Sequence, residues 1–239
     1  MKPLCIVDTC SLIYLSEIEL AGRHLHRWLW EEFNVGYSQA VWDEIKRHTA
    51  KMGQDARSIK RNGKKYVEEL PTASSCENAL FGPPFYRSIQ TGQCRQCRRP
   101  FFGRVEFQPN LASEKDRGER HNCCIALDAV MAGGQRQVIF LTDDVRAIRD
   151  YVRPVFETFP LGHIWSSHDF VLYLFVRHRK RIPQDKAKAA LRDVNARAAG
   201  SGFSGQPTDA QQKWMRRLRE YQGQVERIDQ VLSRITGGH

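Results

Sequence analysis

Short apolar runs alternating with amphipathic stretches are what most limits this chain. LCIV (residues 4–7), NVGYS (34–38), QVIFL (137–141) and VFETF (155–159) read as strands. Between and after them, 11–32, 38–49, 119–132 and 167–179 carry helical periodicity. Strands that alternate with helices predict an α/β fold, a parallel sheet covered on both faces. Ser38 is placed to cap the helix QAVWDEIKRH and Ser167 the helix HDFVLYLFVRH.

Two segments break the alternation. Residues 71–118 carry Pro71, Pro83, Pro84, Pro100 and Pro109 and a CRQC knuckle, and they read as an insertion. After Arg181 comes a basic helix over 184–199, then the linker-like GSGFSGQP (200–207), then a long helix over 208–235. In that last helix Trp214, Leu218, Tyr221, Val225, Ile228 and Leu232 form an apolar stripe, which calls for the main domain or a second copy of the chain as partner. The expected organisation is a domain over 1–182, holding the insertion, and a basic helical extension over 183–239.

Charge is unevenly placed. Residues 1–50 hold five Lys/Arg against seven Asp/Glu, whereas 177–219 hold twelve against three, and the whole chain is +10. A basic tract beside an acid-bearing domain suggests a polyanionic partner, most simply nucleic acid; the plainer alternative is that a basic helix aids solubility. No apolar run approaches the roughly 20 residues of a membrane span. Seven cysteines without a recognisable export signal argue against a disulfide framework and for reduced thiols, with the cytoplasm as the expected compartment.

Acids sit at the strand ends. Asp8 follows the first strand directly, and Asp143 and Asp144 follow QVIFL–Thr142. Each reads singly as a helix cap. Two strands ending in acids bring those acids together if the strands are neighbours, because ligands gather beyond the carboxyl ends of an open α/β sheet. Carboxylates held close repel unless a cation lies between them, and an all-oxygen donor set suits Mg²⁺ or Mn²⁺. Helix geometry adds two acids. Glu44 borders the face marked by Val41 and Ile45, while Asp43 points away. Glu119 shares a face with Asn122, Ala126 and Val130, opposite Asp128. A solvated Glu119 would also suit the helix dipole.

The ordered set VDTCSLIYL, VWDEIKRH, GERHNCCIALDAV and VIFLTDD resembles the PIN-domain nucleases over about residues 3–180, interrupted by the insertion. The resemblance implies a Rossmann-like three-layer parallel sheet and a metal-dependent endoribonuclease. Asp8, Glu44, Glu119 and Asp143 would bind Mg²⁺ or Mn²⁺, with Asp144 and Asn122 in support; Asn122 is an alternative to Glu119 as the third position. It also implies RNA rather than DNA as substrate. Some members are toxins held by an inhibitory partner, although small toxin-like members lack both the insertion and the tail. The alternative functions are a non-catalytic nucleic-acid-binding module and an assembly protein built on residues 208–235.

Cys5 and Cys10 have no ligand-like spacing and read as small buried residues. Cys94 and Cys97 form half of a zinc site; His121 and Cys124, three apart on the back of the Glu119 helix, would complete a structural one. Cys76 or Cys123 could substitute. Arg95, Arg98, Arg99 and Arg104 interleave with Phe101, Phe102 and Phe107, a mixture that suits stacked bases or a small core.

Overall fold

The computed structural model describes residues 2–48, 67–69, 74–83, 86–87, 108–131 and 137–200. Five strands form one sheet: β1 (Leu4–Val7), β2 (Asn34–Tyr37), β3 (Val67–Glu69), β4 (Val138–Leu141) and β5 (Gly162–Trp165). Their spatial order is β3-β2-β1-β4-β5, and every pairing is parallel. That order reverses at β1, as in doubly wound nucleotide-binding sheets, so the crevice for a ligand lies beyond the ends of β1 and β4. All four residues of β4 are buried, as strands covered on both faces should be.

Helices flank the sheet. The described helices include α1 (Thr9–Glu17), α2 (Leu25–Glu32), α3 (Gln39–His48), α4 (Ser74–Phe81), α5 (Arg117–Met131), α7 (Ser167–Arg177) and, after the last strand and α7, α8 (Gln184–Gly200). Between β4 and β5 lies a bent helical stretch, α6, built of Val145–Ala147, a π turn at Ile148–Val152 and Arg153–Thr158. One side of the core joins Ile6, Val138 and Phe140 of the sheet to Leu80, Phe81, Tyr86, Cys123, Ala126, Val152 and Phe156.

Several expectations are corrected. VFETF is helix, not strand: Arg153–Thr158 closes α6, and the wide π turn just before Pro154 accommodates the missing amide hydrogen. The last strand is GHIW instead. Gly162 opens it at φ +145°, and a Cβ there would stand 1.9 Å from the Val138 carbonyl oxygen, so this approach to β4 needs glycine. Residues 11–32 are not one helix. The chain leaves α1 at Ile18 and turns through Ala21 (φ 53°) and Gly22 (φ 75°), which join a two-stranded ribbon, Glu19–Leu20 with Arg23–His24. Two successive positive φ values are what a tight hairpin turn requires. Ser166, not Ser167, caps α7, in a reciprocal capping box with Asp169.

Within 71–118, the described parts pack into the main core: Leu80, Phe81 and Tyr86 are buried there, and Leu111 packs against it. The expected helix over 184–199 is present as α8. The chain divides into two compact units, Met1–Val194 and Asn195–His239. The linker 200–207 and the helix over 208–235 lie outside the described residues, apart from Gly200 at the end of α8.

Candidate active site

The sheet brings the first pair of acids together. β1 and β4 are neighbours in register Val7 with Leu141, and the Asp8 amide extends the ladder by donating to the Leu141 carbonyl at 3.0 Å. Asp8 therefore leaves β1 beside Thr142 and begins α1, its Oδ1 accepting from the Thr9 amide at 2.6 Å. Its Oδ2 accepts from the Cys10 thiol at 2.9 Å and the Thr142 hydroxyl at 3.0 Å. The residue is buried. Burial raises its pKa to about 6; the Cys10 and Thr142 hydrogen bonds oppose that rise, and the Glu44 and Asp144 charges add to it.

Glu44 is delivered by α3. The Ser38 hydroxyl accepts from the Val41 amide at 3.3 Å, setting the start of that helix as expected. The Thr9 hydroxyl then donates to Glu44 Oε2 at 2.7 Å, tying α3 to α1. Gly118 keeps the first turn of α5 close: a Cβ there would stand 3.0 Å from Val41 Cγ2 and 3.5 Å from Glu44 Oε1. Asp43 faces away, bound by Lys46 at 2.6 Å and Gln39 at 2.8 Å.

Glu119 arrives from the first turn of α5. It is not the solvated acid that a helix N-terminus would accept, being only 8 % exposed, and its Oε2 is buried without a hydrogen-bond partner. Burial first, then the charges of Asp8, Glu44 and Asp116, push its carboxyl up to about 9. Such an orphaned oxygen costs about 1–3 kcal/mol, and native proteins seldom tolerate one without a use.

Asp143 follows the same strand as Thr142 but faces a different group. The Ser11 hydroxyl donates to its Oδ2 at 2.6 Å, the Ser167 hydroxyl donates to the same oxygen, and the Ser167 amide donates to Oδ1 at 2.8 Å. Burial nevertheless raises its pKa. Asp144 caps α6 by accepting from the Arg146 and Ala147 amides at 2.7 and 3.0 Å, so the simple capping reading holds for this acid. Asn122 is fully buried as a clamp: its Oδ1 accepts from the Ser38 amide at 3.0 Å and its Nδ2 donates to the Val7 carbonyl at 3.1 Å. It fixes the ends of β1 and β2 relative to α5.

Sequence reasoning missed the hydroxyls and one thiol. Thr9, Ser11, Thr142 and Ser167 each donate to a carboxylate of the set. Cys10 is no inert packing residue, because its thiol donates to Asp8; burial and the Asp8 and Asp143 charges raise its pKa. The available signal was the hydroxyl-rich DTCS immediately after β1.

The cysteine set is divided. Cys94 and Cys97, and with them the Arg/Phe mixture over 95–107, lie outside the described residues. His121 Nε2 stands 3.2 Å from Glu77 Oε2, and the Cys124 side chain meets Cys76. Glu77 also takes Arg120, whose fully buried guanidinium donates to Glu77 Oε1 at 2.6 Å and to the Lys115 and Ser113 carbonyls, both at 3.0 Å. Glu77 and Arg120 were not anticipated.

Among the described residues, no three His, Cys, Asp or Glu side chains form a ready coordination shell. What the acid cluster does show is a donor set made of oxygen, a Glu44 charge close enough to raise the pKa of both Asp8 and Glu119, and the orphaned Glu119 oxygen. Those features fit a hard divalent cation. No helix among the described residues is long and apolar enough to cross a membrane. No family model matches the chain, and neither the curated proteins nor the solved structures contain a match.

Proposed function

We propose that this chain is a PIN-like, metal-dependent endoribonuclease that hydrolyses phosphodiester bonds at the ends of β1 and β4. The observation that carries the reading is Glu119, a buried carboxylate with an unbonded oxygen set against Asp8 and Glu44. Asp8, Glu44 and Glu119 would hold Mg²⁺ or Mn²⁺, with Asp143 beside them. When bound, such an ion lowers the pKa of water and screens charge developing on the phosphate.

The chain's own residues supply position. Thr142 and Cys10 orient Asp8, Thr9 orients Glu44, and Ser11 and Ser167 orient Asp143. Asn122 keeps the strand ends that carry this frame from separating. Burial and the charges of Asp8, Glu44 and Asp116 favour the protonated form of Glu119, and positive charge entering the cluster would favour its ionised form. A structural zinc at the cysteines and RNA as the polyanion complete the reading.

The test is cleavage of labelled RNA and DNA, single-stranded and hairpin, in Mg²⁺, Mn²⁺ or chelator. Single-stranded RNA should be cut with metal and spared with chelator. Chelator-insensitive cutting would overturn the metal assignment. Salt-sensitive binding without turnover in any metal would instead support a binding module, a reading favoured by the exposed Arg179, Lys180, Arg181, Lys186 and Arg192.

A further inference from the structure

Arg146 is a cation at the edge of an otherwise acidic site. Its backbone is fixed two residues past Asp144, whose Oδ1 accepts from the Arg146 amide at 2.7 Å. Its guanidinium is 45 % exposed and donates through Nη2 to Asp116 Oδ2 at 2.9 Å. Nε lies 3.7 Å from Asp150 Oδ2, an ion pair but too long for a hydrogen bond, and Asp150 is already bound by Arg149. Nη1 has no partner among the described residues. More than half of this donor fork is therefore unspent.

Asp116 is an unusual resting place. It adopts φ 59°, a left-handed conformation uncommon outside glycine, at the residue immediately before α5. It stands close enough to Glu119 for its charge to act on that carboxyl. The Tyr151 hydroxyl also donates to Asp116 Oδ2, at 3.1 Å, so Asp116 keeps a donor if Arg146 departs. Asp116 is half-buried, at 18 % exposure, but the arginine side of the pair is open to water, and solvent-screened ion pairs contribute only about 0–1 kcal/mol, so a substrate can compete for the guanidinium.

We propose that Arg146 is a substrate-binding residue, whose guanidinium leaves Asp116 to take a backbone phosphate of the nucleic acid next to the Asp8–Glu44–Glu119 cluster. A planar fork with free donors suits two phosphate oxygens better than a lysine does. Such a group offsets the acids around it, Asp8, Glu44, Asp143, Asp144 and Asp116, whose charges otherwise repel a polyanion. The inference rests on the nuclease reading of the same site.

The experiment compares wild type, Arg146→Gln, Arg146→Lys and Asp116→Asn on a fluorescein-labelled single-stranded RNA 10-mer in Mn²⁺. Arg146→Gln should raise KM about tenfold, the loss of one charge-assisted contact, while kcat changes far less. Arg146→Lys should recover part of that loss. Asp116→Asn, which Asn tolerates at positive φ, should lower KM by releasing the guanidinium. The slope of log affinity against log salt should fall by about 0.7 in Arg146→Gln. An unchanged KM in Arg146→Gln, or equal losses of kcat and thermal stability in all three variants, would overturn the assignment. If wild type cuts no RNA, the nuclease reading itself fails. Anisotropy of the same 10-mer in the same buffer then decides for Arg146: weaker binding by Arg146→Gln supports it, and unchanged binding refutes it.

Discussion

Replacing Glu119 by glutamine should stabilise the fold while destroying its proposed use. Burial and neighbouring charges raise this carboxyl from 4.5 to about 9. A raised acid binds its proton more tightly folded than unfolded, so its ionisation opposes folding at every pH above the unfolded value. At pH 8 the difference from 4.5 corresponds to about 5 kcal/mol, at about 1.4 kcal/mol per pH unit. An unbonded buried amide takes back about 1–3 kcal/mol, leaving a net gain of about 2–4 kcal/mol. For a chain of this size that raises Tm by about 5–10 °C. At pH 5 little of the penalty has developed, and the gain should fall below about 1 kcal/mol before the amide cost. Thermal unfolding of both proteins in chelator, at pH 5 and pH 8, reads this directly. A Glu119→Gln variant that is no more stable at pH 8, or equally shifted at both pH values, would refute the reasoning.

Other substitutions separate scaffold from site. Glu77→Ala leaves the Arg120 guanidinium, 0 % exposed, with neutral partners alone, the Lys115 and Ser113 carbonyls and the Tyr151 hydroxyl, and should cost about 3–5 kcal/mol in urea unfolding; a loss below about 1 kcal/mol would contradict the buried-pair account. Ser166→Ala removes the capping box of α7 and should cost about 1 kcal/mol with cleavage preserved. Ser167→Ala removes one of the three donors that hold Asp143, leaving the Ser11 hydroxyl and the residue 167 amide, and should cost about 10-fold in Mn²⁺-dependent cleavage, with the opposite ranking of the two serines as the contrary result.

Much of the sheet was legible because its strands are short, apolar and bounded. LCIV and VIFL sit at the centre, and the register between them explains why their trailing acids, 135 positions apart in the chain, end on one edge. VFETF was misread because alternating apolar residues over five positions satisfy a helix turn as well as a strand, and Pro154 was the overlooked clue. GHIW and VEE are edge strands, the first only half-buried and the second only three residues long, so neither shows the continuous apolar run of a central strand. The break at Ala21-Gly22 left no apolar gap for a periodicity argument to detect.

In the site, spacing along α3 and α5 separated Glu44 from Asp43 and Glu119 from Asp128. It could not reveal that Glu119 is buried, because that depends on Gly118 admitting α3. Hydroxyl partners such as Ser11 with Asp143, and the Glu77–Arg120 pair, join residues remote in sequence and have no local signature. Asp144 caps α6, as a strand-end acid can, and its charge also reaches Asp8.

The central claim is that the cluster at the ends of β1 and β4 is a cation-dependent phosphodiesterase centre. Single-turnover cleavage of single-stranded RNA in Mn²⁺ by wild type and by Asp8→Asn, a change that keeps the shape of the most enclosed acid, tests it most directly. Cleavage by wild type, abolished by chelator and by Asp8→Asn in a folded protein, is the expected result. Equal cleavage by the two proteins, or the same rate with and without metal, would contradict the account.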